Sequence, residues 1–140
     1  MSTIMVVDDA LSDRTLVSGI AAKWSDSRIV QAEDGRTALA MIEQEPPDLI
    51  LTDMHMPEMN GLELVTAVRE TNPSIPIILM TAKGSEDIAA RALRAGAASY
   101  VPKRRLAQDL LDTIRQVHNA SRGERTQVRL MHHVTSTDTS

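Results

Sequence analysis

At 140 residues and 15.3 kDa the chain is long enough for one domain with its own core and too short for two. Fifteen basic against nineteen acidic side chains give a formal charge of -4, which gives no reason to expect the basic surface of a nucleic-acid binder. The absence of cysteine removes disulfides, thiolate metal sites and thiol nucleophiles. Trp24 and Tyr100 are the only aromatic residues, so the core has to be built from aliphatic side chains and methionine.

The first element is the apolar run at residues 4–7, closed at once by Asp8 and Asp9. It is far too short for a secretory signal, and every other apolar run is broken well before the roughly 18 residues of a spanning helix, so a soluble cytoplasmic protein is expected. Helical spacing follows in Val17, Ile20, Ala21 and Trp24, and then a weaker strand at residues 28–32 reads as a sheet edge. Ala38, Leu39 and Ile42 mark a second helix, residues 49–52 a second continuous apolar run, and Leu62, Val65 and Val68 a third helix. Residues 75–80 form the last long apolar run. Ser85, Glu86 and Asp87 suit a helix start, and Ile88, Ala89, Ala92 and Leu93 supply its apolar stripe. A short strand at residues 98–101 precedes a final helix carrying Leu106, Leu110, Ile114 and Val117.

Apolar runs without polar alternation are the pattern of strands buried on both faces. Five strands alternating with five helices through short connections predict right-handed crossovers and a parallel sheet covered on both sides, an α/β fold. In such sheets ligands gather outside the carboxyl ends of the strands. That rule selects Asp8 and Asp9 after the first strand, Asp53 at the end of the third, Thr81 and Ala82 after the fourth, and Lys103 after the fifth. Helix capping accounts for one carboxylate per helix start; it does not account for three carboxylates converging with a lysine and a hydroxyl.

Three close carboxylates repel one another and call for a hard cation, and oxygen-only ligands favour magnesium, with manganese as the alternative. Asp9 and Asp53 are the expected direct ligands and Asp8 acts through a bound water. With the cation in place, a carboxylate oxygen of Asp53 can attack a phosphoryl group in line, giving an acyl phosphate whose charge the metal and Lys103 neutralise. The Thr81 hydroxyl and the backbone N–H groups of Met54 and Ala82 are expected to donate to the phosphoryl oxygens. Lys83 and His55 are placed to affect how water reaches Asp53 and so the lifetime of the phosphoryl group.

These residues resemble the receiver domains of two-component response regulators over roughly residues 2–120. The resemblance rests on Asp8-Asp9, the run Asp53-Met54-His55-Met56-Pro57-Glu58-Met59-Asn60-Gly61, Met80-Thr81-Ala82, the turn Ala95-Gly96-Ala97, and Tyr100 three residues before Lys103. It implies a flavodoxin-like (βα)5 fold with strand order 2-1-3-4-5 and phosphotransfer from a sensor histidine kinase or phosphotransfer protein. It further implies magnesium held by Asp9, Asp53 and the backbone carbonyl of His55, with Asp8 assisting. Thr81 and Tyr100 become a coupled switch that changes the face made by the fourth helix, fifth strand and fifth helix, for a downstream output domain or effector. Receivers commonly carry proline directly after the motif lysine. Here Pro102 precedes Lys103 and Arg104 and Arg105 follow it, which puts the path into the last helix in question.

Two other functions share parts of this pattern. A haloacid dehalogenase-type phosphatase shares the aspartate, lysine, threonine and magnesium, but its acid/base aspartate would fall at His55 and the length leaves no cap domain. A receiver-fold binding module that is never phosphorylated would not need the complete set of site residues. The expected organisation is a receiver at residues 1–120 and a helical linker or tail at residues 121–140, in which Val128, Leu130, Met131 and Val134 extend the last helix and His132-His133 is a polar tail. The chain is then either a stand-alone regulator or a piece of a longer one, with a connection to an ATP-binding module as one such case. Neither direct nucleic acid binding nor membrane contact is expected.

Overall fold

The computed structural model describes residues 2–82 and 86–130, with side chains as far as Ser121. Lys83, Ser85 and the expectations for residues 131–140, including His132-His133, lie outside the described residues. The elements in chain order are β1 (Ser2–Val7), α1 (Leu11–Ala21), β2 (Ser27–Ala32), α2 (Gly35–Gln44), β3 (Leu49–Asp53) and α3 (Gly61–Thr71). There follow β4 (Ile77–Thr81), α4 (Glu86–Ala95), β5 (Ser99–Pro102), a 3-10 turn at Lys103–Arg105, and α5 (Leu106–Leu130). The five strands are all parallel, in the order β2-β1-β3-β4-β5, the flavodoxin-like arrangement.

Period-two alternation within the buried strands builds two separate aliphatic layers. Ile4, Val6, Leu49, Leu51, Ile78, Met80 and Val101 face α1 and α5, where Val17, Ala21, Leu106, Leu110, Ile114 and Val117 meet them. Met5, Val7, Ile50, Ile77 and Leu79 face the other way, onto Ala38, Ile42, Leu64, Val65, Val68 and Ala92 of α2, α3 and α4. Both faces of β3 and β4 are therefore closed, which is why their runs show no polar alternation. β2 is only half-buried, as its weaker pattern implied.

Local sequence sets where the helices begin. The Asp34 side chain accepts the Thr37 N–H and opens α2, while Asn60 and Glu63 bond reciprocally to each other's backbone N–H and open α3. The first helix is shorter than its apolar stripe. Lys23 and Trp24 donate to the carbonyls three residues back, the chain turns through Ser25 at φ 54°, and Trp24 packs edge-on to His118 of α5 with ring centroids 4.8 Å apart. β4 begins at Ile77 rather than Ile75, because Pro76 has no N–H to give the ladder; its carbonyl still accepts from Ile50.

Candidate functional site

The register brings the polar strand ends to one rim. Val7 pairs with Thr52, Asp53 with Met80, and Thr81 with Pro102, so Asp8, Asp53, Thr81 and Lys103 follow one another around the carboxyl edge of the sheet. Gly61 allows the rim to be this tight. A Cβ there would lie 2.8 Å from the Asp53 carbonyl oxygen and 2.9 Å from Met54 Cα, so only glycine lets α3 start against the end of β3.

Asp8 is fully buried. Its N–H extends the ladder to the Ala32 carbonyl, its Oδ1 accepts the Ala10 N–H at 3.0 Å, and its Oδ2, with no hydrogen-bond donor among the described residues, faces Lys103 Nζ at 3.4 Å. Asp53 is 4% exposed; its Oδ1 lies 3.3 Å from Lys103 Nζ and accepts the His55 N–H at 3.3 Å. Asp9 is exposed at the mouth. One carboxylate oxygen from each of Asp8, Asp9 and Asp53 lies within 4.8 Å of the others.

This crowding has an electrostatic consequence. Burial, and then the Asp8 charge, push the Asp53 carboxyl above the usual carboxylate range, and Lys103 and the His55 amide only partly counter them. Burial likewise raises Asp8. Burial by itself would depress the Lys103 ammonium, but its hydrogen bond to Asp13 and the charges of Asp53 and Asp8 outweigh that and raise it, so the lysine stays charged. Two like charges 4–5 Å apart repel by roughly 3–4 kcal/mol at an effective dielectric near 20. Among the described residues, three ionised carboxylates against the Lys103 ammonium leave two negative charges uncompensated, the charge of one divalent cation. The hard-oxygen donor set and the unsatisfied Asp8 Oδ2 fit such an ion.

Most residues selected from the sequence come together here: Asp8, Asp9, Asp53, Thr81 and Lys103. Lys103 reaches Asp53 despite the missing proline, because the 3-10 turn at Lys103–Arg105 leads directly into α5. The Met54 amide is already engaged within the sheet. Its N–H is donated to the Met80 carbonyl at 3.0 Å, still within the sheet ladder, and the amide facing the Asp53 carboxylate is that of His55. Thr81 is buried, and with Ala82, Glu86, Tyr100, Pro102 and Arg104 it lines a cavity of about 90 Å³; Tyr100 is exposed beside it. Two residues not foreseen are Asp13, which accepts a hydrogen bond from Lys103 Nζ at 2.9 Å, and Arg14, which donates to the Asp8 carbonyl at 2.7 Å. In the sequence Asp13 looks like an ordinary acidic residue in a first helical turn.

A response regulator receiver domain model matches residues 4–115 of the chain. The chain belongs to this family. It is 32% identical over 115 residues to the chemotaxis protein CheY of Listeria monocytogenes, covering 81% of this chain and 96% of that one. It is 39% identical over 100 residues to the transcriptional regulatory protein ZraR of Klebsiella oxytoca, covering 71% of this chain but only 22% of the relative. Among solved structures, the receiver domain of NtrX from Brucella abortus superposes with a TM-score of 0.77 at 28% identity, over 81% of this chain and 96% of that one. Longer NtrX from the same organism matches over 99% of this chain and 31% of its own, with a TM-score of 0.86 at 27% identity. The chain thus spans about a fifth of ZraR's length, and its function at the level of the family is that of a phosphoaccepting domain in response-regulator signalling. Among the described residues no helix is long and apolar enough to cross a membrane.

Proposed function

We propose that Asp53 is the phosphoryl acceptor of this receiver. The observation that supports it above all is the convergence on a buried Asp53 of Lys103 at 3.3 Å and of the Asp8 and Asp9 carboxylates. An Asp53 oxygen attacks the phosphorus of a phosphohistidine on a sensor kinase or phosphotransfer protein. The phosphorus–nitrogen bond breaks, the imidazole leaves with the electron pair and takes up a proton, and an aspartyl phosphate remains. Asp9, Asp53 and the His55 carbonyl would hold magnesium, or manganese in its place, with Asp8 assisting through water. When bound there, the ion would supply positive charge against the transferring group.

Lys103 stays charged at the acceptor and binds a phosphoryl oxygen. The Thr81 hydroxyl and the N–H groups of Ala82 and His55 donate to the others, with His55 taking the place first expected for Met54. The cavity between Thr81 and Tyr100 gives the aromatic ring room to turn inward when Thr81 engages the phosphoryl group, which would change the face formed by α4, β5 and α5. Lys83 and the His55 side chain modulate the approach of water and hence autodephosphorylation.

The receiver of residues 1–120 is read as a cytoplasmic signalling unit, with residues 121–140 as its linker or tail. The formal charge of -4 for the whole chain supports a role without direct nucleic acid contact by this segment, output passing to an effector or an appended domain. Incubation with magnesium and acetyl phosphate, read by intact mass, tests the assignment. A single phosphoryl adduct on the wild type, absent from Asp53→Asn and labile to hydroxylamine, is expected. An equal hydroxylamine-labile adduct on Asp53→Asn would remove Asp53 as acceptor.

A further inference from the structure

We propose that Asp13 is a positioning residue that draws the Lys103 ammonium away from Asp53 and so limits how tightly a phosphoryl group is held there. The inference rests on Asp53 being the acceptor.

Asp13 is the third residue of α1, where any carboxylate is favoured by the helix N-terminus, and that alone would give it no role. Its distance to Lys103 does. Nζ lies 2.9 Å from Asp13 Oδ2 and is hydrogen-bonded to it, against 3.3 Å to Asp53 and 3.4 Å to Asp8. The ammonium of the acceptor site is therefore nearest to a carboxylate outside the three-carboxylate cluster. The start of α1 that presents Asp13 is anchored, since neighbouring Arg14 bonds both the Asp8 carbonyl and, at 3.1 Å, the Gln31 side chain of β2.

A phosphoryl group on Asp53 brings up to about two negative charges beside Lys103. The Lys103 ammonium has to turn toward it, and Asp13 competes for the same donor. Asp13 also adds a fixed negative charge to the rim on which the phosphoryl dianion must form. Both effects act in the same direction, against the phosphorylated state. Because Asp13 lies outside the cluster of Asp8, Asp9 and Asp53, removing its charge leaves the cation's donor set intact. The Lys103 and Asp13 side chains are 26% and 40% exposed, so the effect is that of a partly solvated ion pair, about two- to fivefold in affinity.

The test is beryllofluoride binding, as a phosphoryl mimic, to the full chain in magnesium, measured by calorimetry. Asp13→Asn and Asp13→Ser are expected to bind about two- to fivefold more tightly than wild type, Asp13→Glu close to wild type, and the gain to shrink in 1 M salt, where the Debye length is about 3 Å. Thermal midpoints show that each variant is folded. Unchanged or weaker binding by folded Asp13→Asn and Asp13→Ser, with wild type binding and Asp53→Asn not binding, overturns the role of Asp13 alone. Absence of binding by wild type, or undiminished binding by Asp53→Asn, overturns the acceptor assignment and this inference with it.

Discussion

In the middle of the sheet Ile50, Leu51, Ile78 and Leu79 are buried among aliphatic neighbours on both faces, whereas at its carboxyl edge Asp8 and Asp53 are buried beside other charges. The first region is stabilised by taking apolar side chains out of water. The second is held together at an electrostatic cost, with two carboxyls pushed up by burial and a lysine shared among three acids. The same strands carry both, so the rigid layers hold in place a rim that would repel itself apart if it were free to move. The proposed function resides in the costly region, whose charge balance a cation or a phosphoryl group would change.

Truncation in the layers has the largest expected effect on stability. Leu79→Ala, at a fully buried position on β4, is expected to lower the free energy of unfolding by about 2–5 kcal/mol in urea titrations with or without magnesium. Gly61→Ala acts where layer and rim meet. The added methyl would overlap the backbone at Asp53 and Met54, so a loss of about 1–3 kcal/mol is expected, together with weakened cation binding that Leu79→Ala does not share.

Magnesium should do the reverse, raising wild-type stability by about 1.4 kcal/mol at a free concentration ten times its dissociation constant, and leaving Asp9→Asn and Asp53→Asn nearly unmoved. The smallest shift concerns the metal-free protein. Asp53 has a folded-state pKa above its unfolded value near 3.9, so its ionisation opposes folding. The penalty is complete above the folded pKa, declines as pH falls through it, and is gone below the unfolded value. Asp53→Asn is therefore expected to be more stable than wild type at neutral pH without metal, and to lose that advantage toward pH 4. An advantage that grows on acidification would mean the carboxylate is not under strain.

Much of this division was legible in the sequence. The unbroken apolar runs marked strands closed on both faces, and the residues ending them marked the rim. What was not legible depended on register or on the turns between elements. Met54 stands one residue past β3, yet its N–H still pairs with β4, which periodicity does not reveal. Asp13 and Lys103 are 90 residues apart and meet only because the 3-10 turn after β5 lies against the start of α1. Trp24 fits the helical stripe of α1 but belongs to the turn beyond it, where the chain bends at Ser25.

Reductive trapping tests the central claim most directly. The protein is phosphorylated with acetyl phosphate in magnesium, treated with borohydride to convert the acyl phosphate to homoserine, digested and sequenced by mass spectrometry. Homoserine is expected at residue 53, in amounts matching the intact-mass adduct. Homoserine at position 8, 9 or 13 with position 53 still aspartate would contradict it.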